Sequence, residues 1–134
     1  MKDTKQIGDI SETAAAFFLL KKGYSVSKPI GDNQRYDMIA DDGKQLLRIQ
    51  SKTGKIVGDT LNVGLTRVVR ENGKYKKLSY DSSEIDAFVI YSPELDKCYL
   101  VKKEDAPSVA ISLRLNEVKS NQKEKIRWAR DYEI

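Results

Sequence analysis

Asp37-Met38-Ile39-Ala40-Asp41-Asp42-Gly43-Lys44-Gln45-Leu46-Leu47-Arg48-Ile49-Gln50-Ser51-Lys52 is the stretch on which the fold turns. Asp37 to Ala40 is a short β-like run, Asp42-Gly43 is a hairpin signal, and Gln45 to Lys52 alternates as the returning strand. A hairpin of this kind lays Asp37 beside Gln50-Ser51-Lys52. Side chains of a strand alternate faces, so Leu47 and Ile49 are expected on one side and Arg48, Gln50 and Lys52 on the other. One face packs and the other is left for chemistry.

That chemistry follows from the donor types. Asp37 offers a carboxylate oxygen, Gln50 an amide oxygen and Ser51 a backbone carbonyl, the hard oxygen ligands that Mg²⁺ prefers. Lys52 is expected beside the ion, holding a scissile phosphate or orienting the attacking water. The chain contains no histidine, which removes serine-hydrolase triads, histidine-metal nucleases and histidine-based ribonucleases. A phosphodiesterase built from the remaining residues must use metal-activated water, carboxylates and lysine.

At 134 residues the chain is expected to form one domain, 1–134, with a single core. Its apolar fraction of 40% and charged fraction of 33% are those of a soluble globular protein. The longest apolar run, Ala14 to Leu20, is too short to span a bilayer, and the N-terminus lacks a signal-peptide pattern, so a cytoplasmic protein with no membrane partner is expected. The single cysteine, Cys98, excludes disulfides within the chain and cysteine-rich zinc sites, and reads as a small buried hydrophobe.

A net charge of +4 favours an anionic partner. Thr66-Arg67-Val68-Val69-Arg70 and Lys74-Tyr75-Lys76-Lys77-Leu78 flank the turn Glu71-Asn72-Gly73 and make a basic β-ribbon. Arg67, Arg70, Lys74, Lys76 and Lys77 are its candidate DNA contacts, on a ribbon narrow enough for a major groove. The plainer reading is a solvated edge hairpin whose lysines deter aggregation.

The remaining order is a helix from about Thr4 to Lys22 stopped by Gly23, a strand over Tyr24 to Lys28, and a break at Pro29 and Gly31-Asp32-Asn33. The ribbon is expected directly after Thr53-Gly54, then a polar turn near Ser82 to Asp86. Strands Ala87 to Tyr91 and Lys97 to Val101 follow, with a short segment at Ile111 to Leu115 and a helix around Gln122 to Tyr132. The order predicts an α/β core with a mixed sheet. On the first helix two faces compete. Glu12 shares a ridge with Gly8, Ala15, Ala16 and Leu19, whereas Ile7, Ile10, Ala14 and Phe17 form another stripe, opposite which Glu12 would meet solvent.

Taken together, the helix with Glu12, the stretch Ser27-Lys28-Pro29-Ile30-Gly31-Asp32 leading to Arg35-Tyr36-Asp37, and the strand Arg48 to Thr53 resemble the PD-(D/E)XK nuclease superfamily. So do Ile85 to Tyr91 with Cys98 to Val101, and Asn121-Gln122 with Ile126 to Ala129. The resemblance is closest to the small archaeal and bacterial branch of intron-type homing endonucleases, in which glutamine replaces the usual acid. It implies a restriction-endonuclease-like fold, with a mixed central sheet flanked by helices and an inserted basic hairpin. It implies catalytic roles for Glu12, Asp37, Gln50 and Lys52, and a metal held by Asp37, Gln50, Ser51 and Glu12. The cofactor would be Mg²⁺, with Mn²⁺ able to substitute, and the products would carry 5′-phosphates. DNA is the implied substrate, cut by a homo-oligomer, since a double-strand break needs two sites related by the near two-fold symmetry of DNA. A Holliday-junction resolvase, a non-catalytic nucleic-acid-binding module and a purely structural protein are the alternatives. Gln50 departs from the common pattern, keeping an oxygen ligand but removing one negative charge from the metal shell.

Overall fold

The computed structural model describes residues 3–116 and 126–134 and opens on helix α1, Thr4–Lys22. Asp3 caps it through a reciprocal pair with Gln6, and Gly23, at φ 107°, closes it in a left-handed turn that donates to the Leu19 and Leu20 carbonyls. Ser11, Ala15 and Leu19 are buried, whereas Ile7, Ile10 and Phe17 are exposed. Of the two competing faces, the ridge of small residues that carries Glu12 is the one that packs.

Among the described residues ten strands follow: β1 (Ser25–Ser27), β2 (Met38–Asp41), β3 (Leu46–Thr53), β4 (Lys55–Val57), β5 (Thr60–Gly64), β6 (Thr66–Glu71), β7 (Lys74–Ser79), β8 (Ala87–Ser92), β9 (Lys97–Lys102) and β10 (Ala110–Arg114). The central sheet has the order β1-β2-β3-β8-β9, antiparallel except for the parallel pair β3·β8, and is therefore mixed. The β2–β3 turn forms as expected. Gly43 takes φ 92°, and the Asp42 carboxylate accepts the N–H groups of Lys44 and Gln45 at 2.8 and 2.9 Å.

Strand β8 is buried along its whole length, which explains its unbroken apolar run. Ala87, Val89 and Tyr91 pack with Ala15, Leu19, Met38 and Ile49 on the α1 side. Phe88 and Ile90 pack on the other side with Leu61, Val63, Ile111 and Leu113 of a second sheet, β10-β5-β4. Each large apolar side chain so buried contributes about 1.5–3 kcal/mol.

Two expectations are corrected here. The ribbon does not follow directly on Gly54, because β4 and β5 intervene and pair with each other, β5 also with β10, so among the described residues the second face of the central sheet is covered by strands rather than by a helix. Three-residue β4 was too short to register as a strand. Of the helix expected around Gln122 to Tyr132, residues 122–125 lie outside the described residues. Residues 126–132 contain a bridge from Trp128 to Arg114 and a single 3₁₀ turn, Ala129–Asp131. The Arg114 N–H to Arg127 carbonyl bond of 2.7 Å ties this segment alongside β10, which an α-helix could not do.

Gly54 marks the crossover between the two sheets. A Cβ there would stand 2.9 Å from Leu61 Cγ and 3.2 Å from Ile90 Cγ2, so only glycine admits this approach. The ribbon β6·β7 stands as its own two-stranded sheet, its tip formed by Asn72 and Gly73 at φ 52° and 75°.

Candidate active site

Asp37 sits immediately ahead of β2, held by its own N–H on the Ile49 carbonyl at 2.7 Å. Its carboxylate is held by β3. Ser51 donates its backbone N–H and its hydroxyl to Oδ2, at 2.9 and 3.0 Å, and none of the described hydrogen bonds uses Oδ1. Burial raises the Asp37 pKa above the usual 3.8, the two Ser51 donors oppose that rise, Glu12 adds to it, and Lys52 lowers it.

Glu12 and Asp37 line one cleft of about 330 Å³, together with Lys28, Asp32, Gln34 and Tyr36. The Glu12 carboxylate lies 3.0 Å from the Lys28 ammonium, itself largely exposed. Ser11, one residue before Glu12, is hydrogen-bonded through its hydroxyl to the hydroxyl of Thr53 at the end of β3. The helix is thereby pinned to the strand that carries Gln50, Ser51 and Lys52.

Lys52 is half-buried, and its ammonium faces the base of the ribbon. Nζ donates to the Thr66 carbonyl at 2.8 Å, lies 3.5 Å from the Tyr80 hydroxyl and stands 5.0 Å from the centre of the Tyr80 ring. Burial lowers its pKa from the usual 10.5, and the Asp37 charge partly offsets this. Gln50 turns its amide nitrogen to the Ser51 carbonyl at 3.3 Å. A half-turn of that amide exchanges nitrogen for oxygen.

These residues fit a hard divalent cation. The cleft is lined by the Glu12, Asp32 and Asp37 carboxylates, Asp37 has an unused oxygen, and on β3, outside that lining, the Gln50 amide and the Ser51 carbonyl are able to present oxygen beside Asp37. Among the described residues no group of three or more histidines, cysteines and acids gathers closely enough to hold an ion, so such an ion would depend on the neutral oxygens of Gln50 and Ser51.

The ribbon cations divide between its two faces. Arg70 and Lys77 share one with exposed Val68 and Tyr75, and the Arg70 guanidinium stacks 5.8 Å from the Tyr75 ring centre. Arg67, Lys74 and Lys76 lie on the other. Lys74, Lys76, Lys77 and Arg70 are exposed, whereas Arg67 is turned inward, its guanidinium 3.8 Å from Glu84.

Sequence reasoning did not single out Lys28, Tyr80, Glu84 or Asp86. Asp86 accepts Nε and Nη2 of Arg48 at 2.9 and 3.0 Å, and the Arg48 guanidinium also reaches the Ser82 and Ser83 carbonyls. Arg48 shares the face of Gln50 but is fully committed to this loop. Their separation in sequence leaves no local signal for any of these pairings.

The mixed sheet backed by one helix, with an acid ahead of β2 and a lysine on β3, is a restriction-endonuclease-like fold. Residues 2–134 match the PD-(D/E)XK endonuclease family, and the chain belongs to it. Among solved structures it is similar to a bacterial homing endonuclease, I-Ssp6803I, with 26% identity and a TM-score of 0.75 over 98% of this chain and 89% of that one. A search of curated proteins finds no match. Among the described residues no helix is long and apolar enough to cross a membrane.

Proposed function

We propose that this chain is a Mg²⁺-dependent DNA endonuclease of the homing-endonuclease-like type, working as one domain over residues 1–134, with Mn²⁺ able to substitute. The observation that carries the reading is the cleft shared by Asp37 and Glu12, with the Lys52 ammonium close enough for its charge to act on Asp37. Asp37, Glu12, the Gln50 amide oxygen and the Ser51 carbonyl would hold the ion, which supplies a Lewis acid for the phosphate. Ser51 keeps Asp37 oriented and favours its ionised form. Lys52, on leaving the Thr66 carbonyl, presents an ammonium to a phosphate oxygen or to the attacking water. The Gln50-Ser51-Lys52 motif is the feature that favours the glutamine-bearing branch of the family.

The exposed ribbon cations supply contacts to the DNA backbone. Cutting both strands calls for two copies of the chain, so a dimer or higher oligomer is the working form, and light scattering that finds only monomer with and without DNA counts against it. A cytoplasmic setting suits a chain whose one cysteine, Cys98, is buried and unpaired.

The test is plasmid cleavage with Mg²⁺, alongside linear and four-way duplexes. The wild type cuts linear duplex, and Asp37→Ala and Lys52→Ala both abolish cutting while leaving the protein folded. Cutting by Asp37→Ala sinks the assignment. A strong preference for the four-way substrate reassigns the chain as a junction resolvase.

A further inference from the structure

We infer that Arg35 and Arg67, braced by Glu84, form a clamp for one DNA backbone phosphate beside the candidate active site, an inference that rests on the nuclease reading. The loop leading to Asp37 brings Arg35 Nε to 3.3 Å from Glu84 Oε2, and β6 brings Arg67 Nη2 to 3.8 Å from that same oxygen. The other oxygen of Glu84 accepts the Asp81 N–H at 3.1 Å, fixing the carboxylate to its turn. Two guanidiniums thus share one carboxylate and leave one positive charge over. Most of their forked N–H donors have no acceptor among the described residues, and the buried Arg67 Nε is one of them.

Arg48 shows what a purely structural arginine looks like in this protein. It makes two bonds of 2.9 and 3.0 Å to Asp86 and spends its remaining donors on carbonyls. Arg35 and Arg67 have longer contacts to a shared acceptor, an arrangement open to a second anion. Planar guanidinium forks match the tetrahedral oxygens of a phosphate.

Position supplies the rest. Arg67 directly follows Thr66, whose carbonyl holds Lys52, and Arg35 lies two residues before Asp37. The Tyr80 hydroxyl lies 3.5 Å from Lys52 Nζ, and its pKa is raised first by burial and then by the Asp37 and Glu84 charges, which Arg67 and Arg35 oppose. A phosphate in the clamp therefore neighbours whatever phosphate reaches Lys52.

The experiment is a salt titration of affinity for a mixed-sequence duplex oligonucleotide in Ca²⁺, which permits binding without efficient chemistry. Arg35→Ala lowers the slope of log affinity against log salt by about one and weakens binding at low salt roughly tenfold. Arg35→Lys restores the slope. Arg35→Ala/Arg67→Ala loses little more slope than the single variant, because Glu84 already neutralises whichever arginine remains. Lys97→Ala, which removes a cation paired with Glu133, leaves the slope unchanged. Arg35 is half-exposed, and an unaltered melting transition confirms that its variants fold. A wild-type slope in Arg35→Ala, or a loss of about two in the double variant, overturns the clamp while Mg²⁺-dependent cutting by the wild type keeps the nuclease reading. Wild type without salt-dependent binding or cutting overturns both.

Discussion

Ser51 donates two hydrogen bonds to a single oxygen of Asp37, one from its backbone at 2.9 Å and one from its hydroxyl at 3.0 Å. The residue flanked by Gln50 and Lys52 thereby orients the neighbouring acid and favours its charged form against the larger effect of burial. Removing the hydroxyl with Ser51→Ala leaves the backbone bond and raises the Asp37 pKa further. Single-turnover cleavage should rise with pH as Asp37, already above 3.8, ionises, and fall as Lys52, below 10.5, loses its proton. Ser51→Ala should shift the acid limb to higher pH and leave the alkaline limb in place. An unmoved acid limb assigns that limb to another group.

The Asp37 and Lys52 charges both oppose folding at neutral pH. A folded carboxyl held above its unfolded pKa stabilises the native state below that pKa, and the benefit is lost as pH rises through the folded value. A lysine held below its unfolded pKa behaves in the opposite sense, stabilising the fold at high pH and losing that contribution as pH falls. Asp37→Asn keeps an acceptor for Ser51 without the buried charge, so it should abolish cutting yet raise the melting temperature. A gain on the order of 1 kcal/mol corresponds to about 4 °C for a chain of this size. The gap should close in acid, where wild-type Asp37 is itself neutral. Equal melting temperatures at pH 7 contradict this account.

Gln50 can be tested through the metal requirement. Gln50→Glu restores a negative charge and should hold or lower the Mg²⁺ concentration for half-maximal cutting, although repulsion of the phosphate reduces the maximal rate. Gln50→Leu removes the oxygen at similar bulk and should raise that concentration. If wild type and both variants share one Mg²⁺ dependence, the ion rests on Asp37, Glu12 and the Ser51 carbonyl alone.

Changing Lys74, Lys76 and Lys77 together to alanine should weaken DNA binding and flatten its salt dependence, by up to about one unit of slope for each phosphate no longer neutralised. The cleavage rate at saturating DNA should change little, because none of the three touches Lys52, Asp37 or Glu12. An unchanged slope returns the ribbon to a solvated hairpin whose lysines guard its edges.

Local chemistry was legible in the chain, and long-range chemistry was not. Gly23 announces the end of α1, Asp42-Gly43 the β2–β3 turn and Asn72-Gly73 the ribbon tip, because each acts through neighbours a few residues away. The same turn brings Asp37 to Ser51, so the heart of the candidate site followed from a hairpin. The second sheet escaped notice because β4 spans three residues and the sheet is completed by β10, which pairs with β5 from far along the chain. Lys28 beside Glu12, Asp86 around Arg48 and Tyr80 beneath Lys52 depend on packing between elements and leave no mark in spacing. Burial, rather than helical arithmetic, decided which face of α1 packs.

The ribbon does not join the body as an independent attachment. Thr66 and Ser79 are its closing pair, and Lys52 rests between the Thr66 carbonyl on one leg and Tyr80 just past the other. Segment exchange between related chains therefore has natural seams. Val68 to Lys77 can be swapped for another hairpin to seek a different DNA preference, whereas a graft that carries Thr66 or Tyr80 with it also replaces the mount of the lysine.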